Sequence, residues 1–417
     1  MRIEKNLLVI LSLAMIALSI TSCNISPTSS VVSPTATFPA VEATKITPVL
    51  ASVIAPPAPA TMSDGSICIN YELMVTNASS AEMVIESLEI INPQHSNDQI
   101  HLLSKNDIEA NLRLPGSKEP TNVLGPAQSG YIRVNLTFTE DDKIPLSLEH
   151  IITLTTKNPY GPILSRTVED VCRTQVDIQP APVIGPPLKG DRWIAIAVGG
   201  DGYHRTTIMP LNGSWLGPER WAVDWIKVDD NNRLVTGDIT KNESYPQYGQ
   251  EVIAVADGIV ISARDGMPDL LPGKMPENMT IQNAGGNQVV QNIGDGYSAF
   301  YAHLIPGSLR VREGEYLRKG QIIGLLGNSG NTDAPHLHFQ VNKGTQPLGS
   351  DSSPYVIDSF ELMGRIDSDD NLESEVKKAN EPVMIRPVKM AGRCDRKMPA
   401  NLSFVNFGEV EPDSPSN

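Results

Sequence analysis

Cysteine is scarce in this chain: there are four in 417 residues, none in a CxxC pair, which excludes a zinc knuckle built on paired thiolates. Positive charge is also short. Lys and Arg number 33 against 48 Asp and Glu, for a formal net charge of -15. Such a chain is poorly equipped to neutralise a phosphate backbone, so nucleic acid is not an expected partner, and an anionic membrane surface would not attract it. The acidity serves solubility. Long helical periodicity is absent from residues 191–364. The apolar run at residues 7–20 falls short of the ~20 residues that a comfortable membrane-spanning helix needs.

Glycine (32) and proline (33) are abundant beside 40% hydrophobic residues, which suits a loop-rich, all-β protein. The length fits about two domains with linkers. Arg2 and Lys5 precede the apolar run and small residues follow it, so residues 1–22 have the form of a secretory signal. The run ends Ile20-Thr21-Ser22-Cys23, which resembles a bacterial lipobox. Cleavage before Cys23 would leave a lipidated cysteine holding an exported protein to a membrane, facing the cell wall or periplasm. The alternative is an ordinary cleaved signal with an incidental cysteine.

Residues 23–60, mostly Ser, Thr, Pro, Ala and Val with almost no charge, read as an extended tether. Residues 61–178 hold short β runs, with clear alternation over residues 131–138, and suggest an immunoglobulin-like β-sandwich of unassigned function. Cys68 and Cys172 bracket it and could form a disulfide, leaving Cys394 over. His95, His101 and His150 are scattered there without ligand spacing and read as surface or loop residues. A Pro-rich linker is expected at residues 179–190. A second β body covers residues 191–365, where Asp257-Gly258 signals a hairpin between two apolar runs. Residues 366–417 read as an acidic, partly ordered arm and a disordered tail.

The second body carries the chemistry. In Ala334-Pro335-His336-Leu337-His338-Phe339 the strand period of two points His336 and His338 to one face, with Leu337 and Phe339 turned into a core. By the same period, Tyr301 and His303 share a face, and Trp221, Val223 and Trp225 bury while Asp224 faces the other way. His, His and Asp are ligand types that suit Zn²⁺ with a position left for water.

Five pieces in order, VDW at Asp224, YGQEVIAVADGIV, FYAHL, VREGEYLRKGQIIGLLGNSGN and APHLHFQV, resemble the lysostaphin/LytM-type zinc endopeptidases. They span roughly a quarter to a third of the chain. The resemblance implies an open β-sandwich of duplicated hybrid motifs, one zinc ion, and cleavage of peptide bonds in bacterial peptidoglycan. It implies Asp224 and His338 as zinc ligands, with His303 and His336 flanking the water as catalytic histidines. Tyr301 could stabilise charge or simply pack.

One position departs from the family's pattern. Where the family has a histidine four residues before the Asp ligand, this chain has Arg220. A guanidinium has no lone pair to give and would repel the cation, so either Arg220 swings away, towards substrate, or the site is degenerate. His204, sixteen residues earlier with Pro210 and Asn212-Gly213 available to turn the chain back, is the substitute ligand. The expectation is a zinc-dependent peptidoglycan endopeptidase. The alternative is an inactive relative that binds peptidoglycan or regulates another wall hydrolase. A biotinyl- or lipoyl-carrier domain, suggested by the VREGEYLRKGQIIG hairpin, would leave the histidines unexplained.

Overall fold

The computed structural model describes residues 44–95, 98–200, 202–368 and 372–410. The signal, Cys23 and residues 24–43 of the expected tether lie outside them. The regular structure of the described chain is nearly all strand, as its composition implies, with short helices at Lys105–Asn111 and Glu373–Val376. Ile46–Asn417 form one compact unit, and among the described residues no helix is long and apolar enough to cross a membrane.

Two five-stranded sheets make the N-terminal body. Their facing side chains, among them Ile69, Tyr71 and Leu73 from Ser66–Asn77 and Ile85, Leu88 and Ile90 from Met83–Ile91, share one core. Ser66–Asn77 is buried on both faces. Its alternate residues Asn70 and Glu72 also lose contact with solvent, because that side abuts the C-terminal body. Cys68 lies there too, packed against the C-terminal core, whereas Cys172 packs against the N-terminal one. The expected disulfide is therefore absent: both thiols are free, since strand alternation turns Cys68 away from the core that Cys172 joins. His150 also departs from expectation. It is fully buried on the core face, between the Tyr71 hydroxyl at 2.7 Å and the Cys172 carbonyl at 2.9 Å.

Order extends further than the sequence suggests. Val49–Val53, read as tether, and Pro59–Thr61, which begins in it, pair with Ser66–Asn77. Inside the expected linker, Val183–Ile184 pairs with Val356–Ile366. The acidic arm contributes Ile385–Arg386, Gly392–Lys397 and Ser403–Asn406 to the large C-terminal sheet. Its Phe407 stacks edge-on against Trp225, ring centroids 5.1 Å apart. The arm is polar by composition, but its few apolar residues are placed to finish a core, and in all these segments strand pairing satisfies the backbone.

The C-terminal body is built on a twelve-stranded sheet. The runs either side of Asp257-Gly258 are strands, as read, but they do not pair with each other. Glu251–Ile253 pairs with Ile322–Leu325, while Gly258–Arg264 joins the large sheet. Gly258 has no positive φ. It is needed because a Cβ there would lie 1.9 Å from the Asn292 carbonyl oxygen. Three neighbouring strands of this sheet, Val223–Lys227, Leu337–Lys343 and Tyr297–Leu304, position the site. Trp221, Val223, Trp225, Leu337 and Phe339 fill the core behind it.

Candidate metal centre

Asp224 and His338 sit directly opposite each other in the antiparallel register of Val223–Lys227 with Leu337–Lys343. Cross-strand neighbours on one face meet, and Asp224 Oδ1 lies 3.0 Å from His338 Nδ1. On the other side of His338, its register partner is Ala302, not His303.

Regular alternation would send His303 to the core with Tyr301. Instead its φ is +68°, a left-handed value uncommon for a residue with a Cβ. The alternation breaks there, and the ring stacks 4.7 Å from His336 and 5.9 Å from His338, centroid to centroid. Strain of this kind is found at functional sites. Tyr301 accordingly does not share a face with His303. It is buried among core residues, and its hydroxyl donates to Gln291 Oε1 at 2.8 Å and accepts from the Val255 amide at 2.9 Å. Burial pushes its phenol well above the usual range. Tyr301 is a core residue, outside the site.

His204 arrives from the other direction. It lies on the 3-10 turn Tyr203–Thr206. Met209–Leu211 and Ser214–Leu216 form a hairpin across Asn212 and Gly213, both at positive φ, which returns the chain towards Asp224. His204 Nε2 comes within 3.4 Å of Asp224 Oδ2, and the two imidazoles of His204 and His338 pack edge to face at 4.9 Å. His336 Nε2 lies 3.5 Å from Asp224 Oδ1. The side chain of Tyr203, on the same turn, donates its hydroxyl to Asp224 Oδ2.

The outer nitrogens of the four rings are all engaged. His204 Nδ1 faces the Ala197 carbonyl at 3.2 Å, His303 Nδ1 that of Ser329 at 2.7 Å, and His336 Nδ1 that of Ala334 at 2.9 Å. A carbonyl only accepts, so each Nδ1 carries the proton and each Nε2 offers a lone pair. His338 is reversed. Gln340 spends its amide hydrogens on the carbonyls of Pro218 and Pro347 and on Asn342 Oδ1. Its Oε1 is thereby left to accept from His338 Nε2 at 2.7 Å, which turns the Nδ1 lone pair towards Asp224. Such outer partners fix the tautomer of a metal-binding imidazole.

This donor set fits a divalent cation. The His204, Asp224 and His338 ligand atoms lie within 4.8 Å of one another, as do those of His303, His336 and His338. Bonds of ~2.0–2.1 Å in tetrahedral array put ligand atoms ~3.3 Å apart, close to the separations of His204 and His338 from Asp224. Lone pairs and a carboxylate crowded together call for a positive charge between them. Without a metal that charge is a proton. Burial works against it at His338, but hydrogen bonding and attraction to Asp224 win and raise that imidazole to about 9. Burial and the neighbouring imidazoles hold His204 and His303 well below the usual range, so both are neutral.

Arg220 is not at the centre. Buried with the N-terminal body, its Nε donates to Glu72 Oε2 at 2.7 Å, and its terminal nitrogens lie 3.3 Å from Asp351 Oδ1. The site therefore unites five expected residues, Asp224, His204, His303, His336 and His338, and leaves out Tyr301 and Arg220. Sequence reasoning missed Tyr203 and Gln340. Gln340 had a signal, since it stands two residues beyond His338 on the same strand face. Tyr203 had only its place beside His204. All five residues line an open cleft of about 820 Å³, with Tyr203, Lys274 and Met275 also on its walls.

Residues 244–350 match the family described as Peptidase family M23. Over 87 residues the chain is 38% identical to lysostaphin of Staphylococcus simulans, covering 20% of this chain and 17% of that protein. Over 65 residues it is 37% identical to the peptidoglycan DD-endopeptidase ShyA of Vibrio cholerae, covering 16% of this chain and 15% of the relative. The solved catalytic domain of lysostaphin from Staphylococcus simulans aligns at 21% identity over 39% of this chain and 88% of that domain, with a TM-score of 0.22. The chain thus spans only a small part of the length of the curated relatives it matches. His303, His336 and His338 fall inside the matched region, while Asp224 and His204 precede it. It is through that region, residues 244–350, that the chain is similar to peptidase family M23.

Proposed function

We propose that this protein is a zinc-dependent endopeptidase that hydrolyses peptide bonds in bacterial peptidoglycan, with Asp224, His338 and His204 as the three protein ligands of one zinc ion. The observation that carries the reading is the approach of His204 Nε2 to Asp224 Oδ2, which supplies the third donor where Arg220 cannot. A bound zinc ion would act as a Lewis acid and bring the pKa of a water towards about 7. His303 and His336 have their Nδ1 protons committed to carbonyls, so their Nε2 atoms can take up a proton from the attacking water and pass one to the leaving amine. Their protonated forms would donate to the developing oxyanion. The open cleft beside these two rings is where a peptide chain would lie.

The relative named as a peptidoglycan DD-endopeptidase supports this substrate class. An exported, Cys23-lipidated protein with its catalytic body at the wall is the matching location, with the peptidoglycan peptide and the membrane as its partners. A second reading is a metal-free relative that binds the wall or regulates another hydrolase. The Tyr203 hydroxyl on Asp224 favours it, because it occupies a carboxylate oxygen that a metal would use.

Metal analysis separates the two. The purified protein is expected to hold zinc near one equivalent and to release muropeptide fragments. His204→Ala should lose the metal and at least ~10²-fold of the activity. Wild-type protein that takes up no zinc would sink the enzyme reading in favour of the second one.

A further inference from the structure

Two arginines flank the centre, and both reach into the other body. Arg205 follows His204 in the chain, and Arg220 lies four residues before Asp224. Glu72, on strand Ser66–Asn77 of the N-terminal body, is fully buried between them. Its Oε1 accepts from Arg205 Nε at 2.9 Å, and its Oε2 accepts from Arg220 Nε at 2.7 Å. Arg205 is further held by Asn135 Oδ1 at 2.5 Å and the Tyr71 carbonyl at 3.1 Å, both from the same N-terminal sheet. One carboxylate thus grips the two segments that deliver His204 and Asp224.

The two segments differ in how much they need this. Asp224 is fixed by sheet register. The turn Tyr203–Thr206 has no ladder partner. Its local bonds are those of a single tight turn, Arg205 N to the Gly202 carbonyl at 3.0 Å and Thr207 N to the His204 carbonyl at 3.1 Å. A turn of four residues has little stability of its own. Successive residues on it point about a third of a turn apart, so seating Arg205 in the N-terminal body aims His204 at Asp224.

A buried ion cluster is a poor source of net stability, because desolvation offsets attraction, but its geometry is demanding. Arg205 and Arg220 are each bound through a planar fork, which fixes direction as well as distance. Granted the zinc reading above, we propose that Glu72 is a positioning residue for the metal centre: through Arg205, and with Arg220 as counterweight, it holds His204 in place, so that the N-terminal body completes the ligand set of the C-terminal one. The arginine in the place of the family's histidine is then part of the replacement device.

The test uses the full chain and titrates zinc and cobalt(II) against a competing chelator. Glu72→Gln should weaken zinc binding by roughly 10- to 100-fold, the range seen when the support of a ligand is lost. Its cobalt visible spectrum should move towards that of His204→Ala. Hydrogen exchange at residues 203–206 should quicken. A folded Glu72→Gln protein with wild-type zinc affinity and cobalt spectrum would overturn the proposal.

If that variant fails to fold, the apolar replacement Glu72→Leu with Arg205→Met and Arg220→Met removes the ions without leaving a lone buried charge. The same loss of affinity is expected there, and its absence counts equally against the proposal. Should wild-type protein take up neither metal, the zinc reading fails by itself. Exchange at residues 203–206 then decides the positioning claim, with an unchanged rate in Glu72→Gln overturning it.

Discussion

The two sides of the candidate metal centre are built by different means. His336, His338 and Asp224 come from adjacent strands of one sheet, where backbone register alone sets which side chains meet. His204 and Tyr203 come from a lone turn whose aim depends on contacts with a different body. Register is held by many backbone bonds at once and tolerates the loss of any one side chain. A turn with no ladder bonds, held by a few side-chain contacts of which Arg205 makes the most, does not. The sheet side should therefore fail only when a ligand is removed, and the turn side when its supports are.

The largest effect expected on the sheet side follows from Asp224→Ala. Asp224 is the one carboxylate that His204, His336 and His338 all approach. Its removal should abolish stoichiometric zinc and lower muropeptide release by at least ~10³-fold, about 4 kcal/mol in the barrier. The strands themselves should survive, since Trp221, Val223 and Trp225 stay buried behind it. Unchanged near-ultraviolet circular dichroism with lost metal is the expected pair of results. Retained zinc would mean that His303, His336 and His338 form the real ligand set.

A smaller effect is expected one bond further out. Gln340→Leu keeps the strand and the size of the side chain but removes the acceptor that orients His338. The imidazole is then free to exchange tautomers, and zinc affinity should drop by about 10- to 100-fold. Three carbonyl or amide acceptors around Gln340 lose a donor as well, so a modest fall in melting temperature should accompany it. A loss of affinity matching that of Glu72→Gln would say that both sides rely equally on their supports. A much smaller loss would sharpen the contrast between register and turn.

How much of this was legible in the sequence follows the same division. Period-two alternation is a local rule, and it correctly put His336, His338 and Asp224 opposite buried Leu337, Phe339 and Trp225. It misled at Tyr301 and His303 because the rule assumes an unbroken strand, and the left-handed backbone of His303 leaves no mark in composition. Arg220, expected to swing away from the cation, precedes the strand, lies in a turn and reaches Glu72. His204 was found by asking what could replace a missing donor, and the Asn212-Gly213 turn made its return plausible. Glu72 was out of reach, since nothing local tells a strand glutamate facing solvent from one facing another body. The polar arm failed for a related reason. Phe404 and Phe407 are sparse apolar residues whose value appears only once a sheet edge and Trp225 are there to receive them.

The smallest effect tests whether the two bodies behave as one. Glu169 lies on strand Arg166–Gln175 at the N-terminal body, almost fully buried. Its Oε1 accepts from the Val49 amide at 3.1 Å, and its Oε2 has no partner. Burial pushes the carboxyl up from 4.5 to about 7, with the Val49 hydrogen bond opposing. Because the folded-state pKa is the higher one, the folded protein holds this proton more tightly than the unfolded chain. The stabilisation is complete below about 4.5 and is lost as pH rises through about 7. Glu169→Gln keeps the acceptor for Val49 and cannot ionise. It should leave melting nearly unchanged below about pH 4.5 and raise stability at pH 8. If the N-terminal and C-terminal bodies unfold together, as the buried Glu72 ion cluster implies, a single transition should shift. If only the first of two transitions moves, the bodies melt independently, and support of His204 by the N-terminal body would operate only below that first transition.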